Sequence, residues 1–96
     1  MKLFDRKQDE HRYNQFEVKC DYKGARYLVR VSGDVACRGL YRGPGTTVSV
    51  WRISLNESEN NENGVIPEVK GFQGPYSEAA LKRFLSKLTW NQGGAR

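Results

Sequence analysis

The segment 38–42, Arg-Gly-Leu-Tyr-Arg, combines two arginines and a tyrosine, whose side chains can bind a ligand. A guanidinium group binds phosphate oxygens, and an aromatic ring can stack on a nucleotide base. The segment therefore predicts a contact with nucleic acid, with Arg38 and Arg42 on phosphates and Tyr41 on a base. The alternative is a turn-rich connection whose arginines are simply solvated.

The charge balance of the whole chain agrees with that prediction. Sixteen basic and eleven acidic residues give a formal net charge of +5. An excess of this kind favours a polyanionic partner such as nucleic acid. Four further cations have no acidic partner indicated by the sequence pattern, and they complete the predicted nucleic-acid-binding set: Arg52, Lys82, Arg83 and Lys87.

Catalytic chemistry is not indicated by the residue spacing. His11 is the only histidine, and no Cys or second His stands at ligand spacing from it. Gly39, Gly43 and Gly45 lack the Gly-Lys-Ser/Thr ending of a phosphate loop. Two acidic residues, Glu17 and Asp21, stand opposite arginines in a predicted hairpin, and three more lie in a polar loop, namely Glu57, Glu59 and Glu62. We therefore expect a non-enzymatic protein that uses no metal and no cofactor.

The two cysteines, Cys20 and Cys37, are too few for a disulfide framework or a zinc site. The N-terminal segment has no apolar run typical of a secretory signal. No stretch approaches the ~18 apolar residues of a membrane span. These features predict two reduced thiols in a cytoplasmic protein that does not enter a membrane.

The most clearly patterned element is a β-hairpin over residues 16–31. Apolar and polar residues alternate along both arms, which is typical of strands with one buried face. A two-residue turn at Lys23 and Gly24 determines the register. The predicted apolar pairs are Tyr22–Ala25, Cys20–Tyr27, Val18–Val29 and Phe16–Val31. The predicted charged pairs on the other face are Asp21–Arg26 and Glu17–Arg30.

Further strands are indicated on both sides of that hairpin. Residues 35–42 could form a short irregular strand, 46–55 a long one rich in β-branched residues, and 65–72 an edge strand. Residues 56–64 are polar and acidic, and we expect them to form a mobile loop. Residues 1–15 are weakly patterned, so they could fray, start a helix or add an edge strand.

One amphipathic helix follows a plausible N-cap at Ser77. Its apolar stripe is Leu81, Phe84, Leu85 and Leu88, and its polar side is Lys82, Arg83, Ser86 and Lys87. The helix should end near Trp90, because two glycines follow. The predicted architecture is a single α+β domain over residues 1–96, with a small antiparallel sheet of three to five strands. The C-terminal helix packs on one face of that sheet.

The predicted strand 46–55 carries apolar residues on both of its faces. Trp51 and Ile53 share one face, whereas Val48 and Val50 share the other. A β-bulge could switch the strand between faces and bury both sets. Without a bulge, one set points away from the helix.

Leu28 of the hairpin would join that second set if Val48 and Val50 are inside. Cover would then come from Leu3 and Phe4, from a second copy in a homodimer, or from a partner protein. Because exposed apolar patches often mark interaction sites, a second hypothesis follows. In it the chain is a protein-interaction module, such as an inhibitor or adaptor of the phage or mobile-element accessory type. Its interface would be formed by Leu28, Trp51 and Ile53.

Overall fold

The computed structural model of this chain describes residues 1–53 and 69–88. Within them, five strands form one sheet and are followed by one helix. The strands are β1 (Lys2–Gln8), β2 (Gln15–Tyr22), β3 (Ala25–Ser32), β4 (Thr47–Ile53) and β5 (Val69–Gln73), and the helix is α1 (Glu78–Lys87). All neighbouring strands are antiparallel and follow one another in chain order. The predicted α+β architecture is confirmed.

The β2–β3 hairpin has the predicted register along its whole length. Lys23 and Gly24 have φ values of 49° and 80°, which is the pair of positive φ angles that a type I′ turn requires. Arg26 donates to both carboxylate oxygens of Asp21, at 2.7 and 3.0 Å. The register is strongly specified, because a slip by one residue would turn every buried side chain of a strand toward solvent.

The hydrophobic core lies between α1 and one face of the sheet, which we call the helix face. Leu81 and Leu85 are buried, while Phe84 and Leu88 pack partly buried against the same cluster. The predicted apolar stripe of the helix is thereby confirmed. The sheet supplies Phe16, Val18, Cys20, Tyr22, Tyr27, Val29, Val31, Val48 and Val50. Burying a side chain such as Val stabilises the fold by about 1.5–3 kcal/mol.

Strand β4 pairs with β3 and β5 without a bulge. Val48 and Val50 are therefore buried on the helix face, whereas Trp51 and Ile53 are half-buried on the opposite side. Leu55, which the sequence places with Trp51, lies outside the described residues. We call this opposite side the open face. Its apolar members are Phe4, Leu28, Trp51, Ile53 and Val69.

Strand β1 is an edge strand, one of the three alternatives for the N-terminal segment. Asp5 and Arg6 together stand opposite a single residue of β2, which makes a β-bulge. Asp5 adopts a left-handed conformation with φ 57° at this bulge. Leu3 packs against the core on the helix face. Of the two residues expected to cover the open face, only Phe4 therefore lies on it.

Residues 35–42 do not form a strand, so that prediction is wrong. They belong to a turn-rich connection, residues 33–46, which we call the β3–β4 loop. Asp34 explains the difference, because its carboxylate accepts hydrogen bonds from the backbone N–H groups of Ala36 at 3.0 Å and Gly45 at 2.9 Å. A side chain that bonds nearby backbone groups competes with strand pairing.

Helix α1 begins as predicted, because the Ser77 hydroxyl accepts a hydrogen bond from the N–H of Ala80 at 3.0 Å. It ends at Lys87, earlier than the predicted end near Trp90. Leu88 has left the helical conformation, with φ −71° and ψ 139°. The two glycines on which the predicted end rested are therefore not what stops the helix.

Two predictions fall on segments outside the described residues. The expected mobile loop at 56–64 lies wholly outside them, and so does the part of the predicted strand 65–72 before Val69. The rest of that strand is found in β5. Over the described ranges, no helix has the length and apolar character needed to cross a membrane.

Candidate functional site

The ion pairs that the structure shows between described residues lie on the open face. They are Asp21–Arg26 at 2.7 Å, Glu17–Arg30 at 2.5 Å and Asp5–Lys19 at 3.2 Å. The hydrogen bond from Arg26 holds the pKa of the Asp21 carboxyl below its usual range. Asp5, Glu17 and Asp21 thus each have a basic partner on this side of the sheet.

The predicted nucleic-acid-binding cations lie on the helix face of the sheet, on α1 and in the β3–β4 loop. They are exposed, and within residues 1–53 and 69–88 none of them has an acidic partner: Arg38, Arg42, Arg52, Lys82, Arg83 and Lys87. Their positions come from three elements, namely the β3–β4 loop, the helix face of β4, and the outer surface of α1. We call these six residues the helix-side cations.

The fold connects the β3–β4 loop to the segment that leads into α1. The N–H of Tyr76 donates to the carbonyl oxygen of Tyr41, and the N–H of Gly74 donates to that of Thr46, both at 2.7 Å. The structure thus brings two arginines together on one loop and three basic residues together on one helix surface. These two groups share a side of the molecule but belong to separate elements.

Tyr41 has a structural position that its sequence context does not reveal. Its ring packs edge-to-face against Phe16, with centroids 4.9 Å apart and planes at 86°. The ring of Tyr76 meets the same Phe16 at 5.6 Å and 76°. A ring that anchors its loop in this way is not a free platform for a base, so stacking by Tyr41 would compete with core packing.

An aromatic residue outside the predicted set is far more accessible. Tyr13, in the turn between β1 and β2, is 72% exposed and is the only exposed side chain among the Phe, Trp and Tyr residues that the structure describes. Its neighbours His11 and Arg12 are exposed as well. One signal in the sequence indicates this residue, namely an aromatic side chain directly after an arginine in an otherwise polar segment.

The predicted protein-interface residues are neighbours on the open face. Leu28 stands opposite Trp51, which in turn stands opposite Val69 of β5. The guanidinium of Arg30 lies 5.1 Å from the centre of the Trp51 ring. Ile53 occupies the adjacent row of the same face. Val69 is 51% exposed and extends the apolar row beyond the predicted residues.

The reactive side chains of Cys20 and His11 lie in different environments. Burial raises the pKa of the Cys20 thiol to about 11, so this thiol stays protonated and is a weak nucleophile. His11 is exposed on a turn, where its backbone N–H donates to Asp9. No three His, Cys, Asp or Glu side chains of residues 1–53 and 69–88 group together to hold a metal ion.

Fold and surfaces define a small α+β domain whose two sides are built differently. The helix side carries cations that have no acidic partner among the described residues, and the open face carries an apolar row beside three ion pairs. Comparisons with protein-family models, with curated proteins and with solved structures each found no match. Any function of this chain is therefore inferred from these two surfaces.

Proposed function

We propose that this chain is a cytoplasmic, non-enzymatic module that binds nucleic acid through its helix-side cations. The difference in ion pairing carries the proposal. Ion pairs between described residues engage Lys19, Arg26 and Arg30 on the open face, whereas none of the helix-side cations has such a partner. Cations that are solvated and unpaired are free to displace the counterions of a phosphate backbone.

The β3–β4 loop is well suited to hold two arginines at a phosphate backbone. The Asp34 carboxylate and the Tyr41 ring order this loop from within. A guanidinium is planar and binds phosphate oxygens through two parallel hydrogen bonds. An ordered backbone helps to hold the group in the orientation that these bonds require. The cations of α1 would add non-directional attraction, which favours binding that depends little on base sequence.

The proposal is tested by fluorescence anisotropy with labelled duplex and single-stranded oligonucleotides across a salt series. Four phosphate contacts would give a log–log slope of about −3.6 on duplex DNA and about −2.8 on a single strand. Arg38→Ala and Arg42→Ala should each flatten the slope by about one unit. Arg30→Ala removes the same charge from the open face and should leave the slope unchanged.

Two results would count against nucleic-acid binding by these cations. One is the absence of binding even at low salt. The other is an equal slope for Arg38→Ala, Arg42→Ala and the Arg30→Ala control, which would mean that position on the molecule does not matter.

A second candidate function is protein binding through the open face, and the row Leu28, Trp51 and Val69 favours it. Three apolar side chains in adjacent positions on one side of a small sheet suit an inhibitor or adaptor. Affinity purification from the native host, with nuclease added, would retain a protein partner under this hypothesis. Leu28→Ser should abolish that retention and leave the salt slope on nucleic acid unaffected.

A further inference from the structure

The turn between β1 and β2, residues 9–14, presents Tyr13 to solvent in an ordered backbone. The Asp9 carboxylate accepts hydrogen bonds from the N–H groups of His11 at 2.7 Å and Arg12 at 3.0 Å. The Gln8 side-chain amide donates to the carbonyl oxygen of Tyr13 at 3.0 Å. The exposure of the ring is therefore a property of a well-bonded turn. Binding of a ligand to this ring would therefore cost little free energy for ordering the backbone of the turn.

This turn is joined directly to the β3–β4 loop. The N–H of Gly33 donates to the carbonyl oxygen of Asn14 at 2.6 Å, and the Asn14 side-chain amide donates back to the carbonyl oxygen of Gly33 at 3.3 Å. One residue further, the N–H of Asp34 donates to the carbonyl oxygen of Leu40 at 2.9 Å. Tyr13 thus lies at the same end of the sheet as the loop with its two arginines.

We propose that Tyr13 is the base-stacking residue of this chain and that its ligand is a single-stranded nucleic acid. Arg12 and the two loop arginines bind phosphates of the same strand. The inference rests on the proposed function and deepens it by naming the substrate class. Bases in a duplex are stacked on one another, whereas an unpaired base offers its face to an aromatic ring. Tyr13 therefore takes the role that the sequence pattern assigns to Tyr41.

The test uses labelled single-stranded DNA, single-stranded RNA and a matched duplex, each titrated with the full chain. Tyr13→Ala should weaken single-strand binding roughly 5- to 150-fold, which is the effect of losing one stacked base. Tyr13→Phe keeps the ring and should retain the affinity. The salt slope of Tyr13→Ala should match that of the unaltered chain, because no charge is lost. Duplex affinity should stay within about twofold, since no unpaired base is available there.

The outcomes separate this inference from the proposed function. If Tyr13→Ala binds single strands as tightly as the unaltered chain while Arg38→Ala flattens the salt slope, stacking by Tyr13 is wrong and nucleic-acid binding stands. If Tyr13→Ala weakens duplex and single strand equally, or if Tyr13→Phe fails to restore affinity, base stacking is likewise overturned. If the unaltered chain binds no oligonucleotide at low salt, both nucleic-acid binding and base stacking by Tyr13 are wrong.

Discussion

The ring of Tyr41 meets the ring of Phe16 edge-on, and Phe16 is 1% exposed in the centre of the core. The carbonyl oxygen of Tyr41 also accepts a hydrogen bond from the segment before α1. Main chain and side chain of Tyr41 therefore both tie the β3–β4 loop to the folded core. Whatever the arginines of this loop bind, their positions depend on this contact.

We expect Tyr41→Ala to lower the free energy of unfolding by about 1–3 kcal/mol, because it removes a half-buried ring and its edge-to-face contact. Tyr41→Phe keeps the ring and should be close to neutral. Tyr13→Ala is the matched control, since an exposed side chain usually changes stability by less than about 0.5 kcal/mol. Urea unfolding measures all three variants. Equal stability of Tyr41→Ala and Tyr13→Ala would contradict the anchoring role.

The two faces of β3 should respond oppositely to substitution. Val29 is fully buried, so Val29→Asp places a charge in the core and should prevent cooperative folding. Arg30 is paired with Glu17 on the open face, where such a pair contributes roughly 0.2–1 kcal/mol. Arg30→Ala should therefore barely shift the melting temperature in a thermal scan by circular dichroism. Similar losses for both variants would reject the assignment of faces.

Thr46 offers a way to stabilise the chain. It is fully buried, and its hydroxyl oxygen has no hydrogen-bond partner among the described residues. An unsatisfied buried hydroxyl is unfavourable by about 1–3 kcal/mol, so Thr46→Val should raise the free energy of unfolding by part of that amount. Thr47→Val is the control, because Thr47 is exposed. A lower denaturation midpoint for Thr46→Val would show that the hydroxyl has a partner after all.

Burial of Cys20 predicts a loss of stability in alkaline solution. The pKa of its thiol rises from 9.0 to about 11 in the folded chain. Between these values the unfolded chain releases the proton and the folded chain keeps it, so the free energy of unfolding falls as pH rises. Below about pH 9 both states keep the proton and this contribution is constant. Unfolding curves of the unaltered chain and Cys20→Ala should therefore converge from pH 9 to 11.

Both proteins carry the same tyrosines, so a pH-dependent change in the difference between their stabilities reports on the Cys20 thiol. A constant difference in stability across that pH range would mean that the folded chain ionises Cys20 as easily as the unfolded one.

Local patterns were sufficient to predict the hairpin and the helix. The turn at Lys23 and Gly24 and the alternation beside it lie within sixteen consecutive residues, 16–31, so register needs no information from the rest of the chain. The Ser77 cap and the stripe of α1 are equally local. Cations of the helix could also be assigned to its exposed side from spacing alone.

The sequence by itself determined the α+β architecture, the hairpin register and the polar side of α1. The reason is that the periodicity of apolar residues and the chemistry of turns depend on a few neighbouring residues. Only the tertiary structure decided which aromatic ring packs against the core and which is exposed. Tyr41 and Tyr13 both stand beside arginines in polar surroundings, and they differ because Phe16 lies under one of them and not the other. That difference is made by contacts between residues distant in the chain, and the order of residues along either segment does not reveal it.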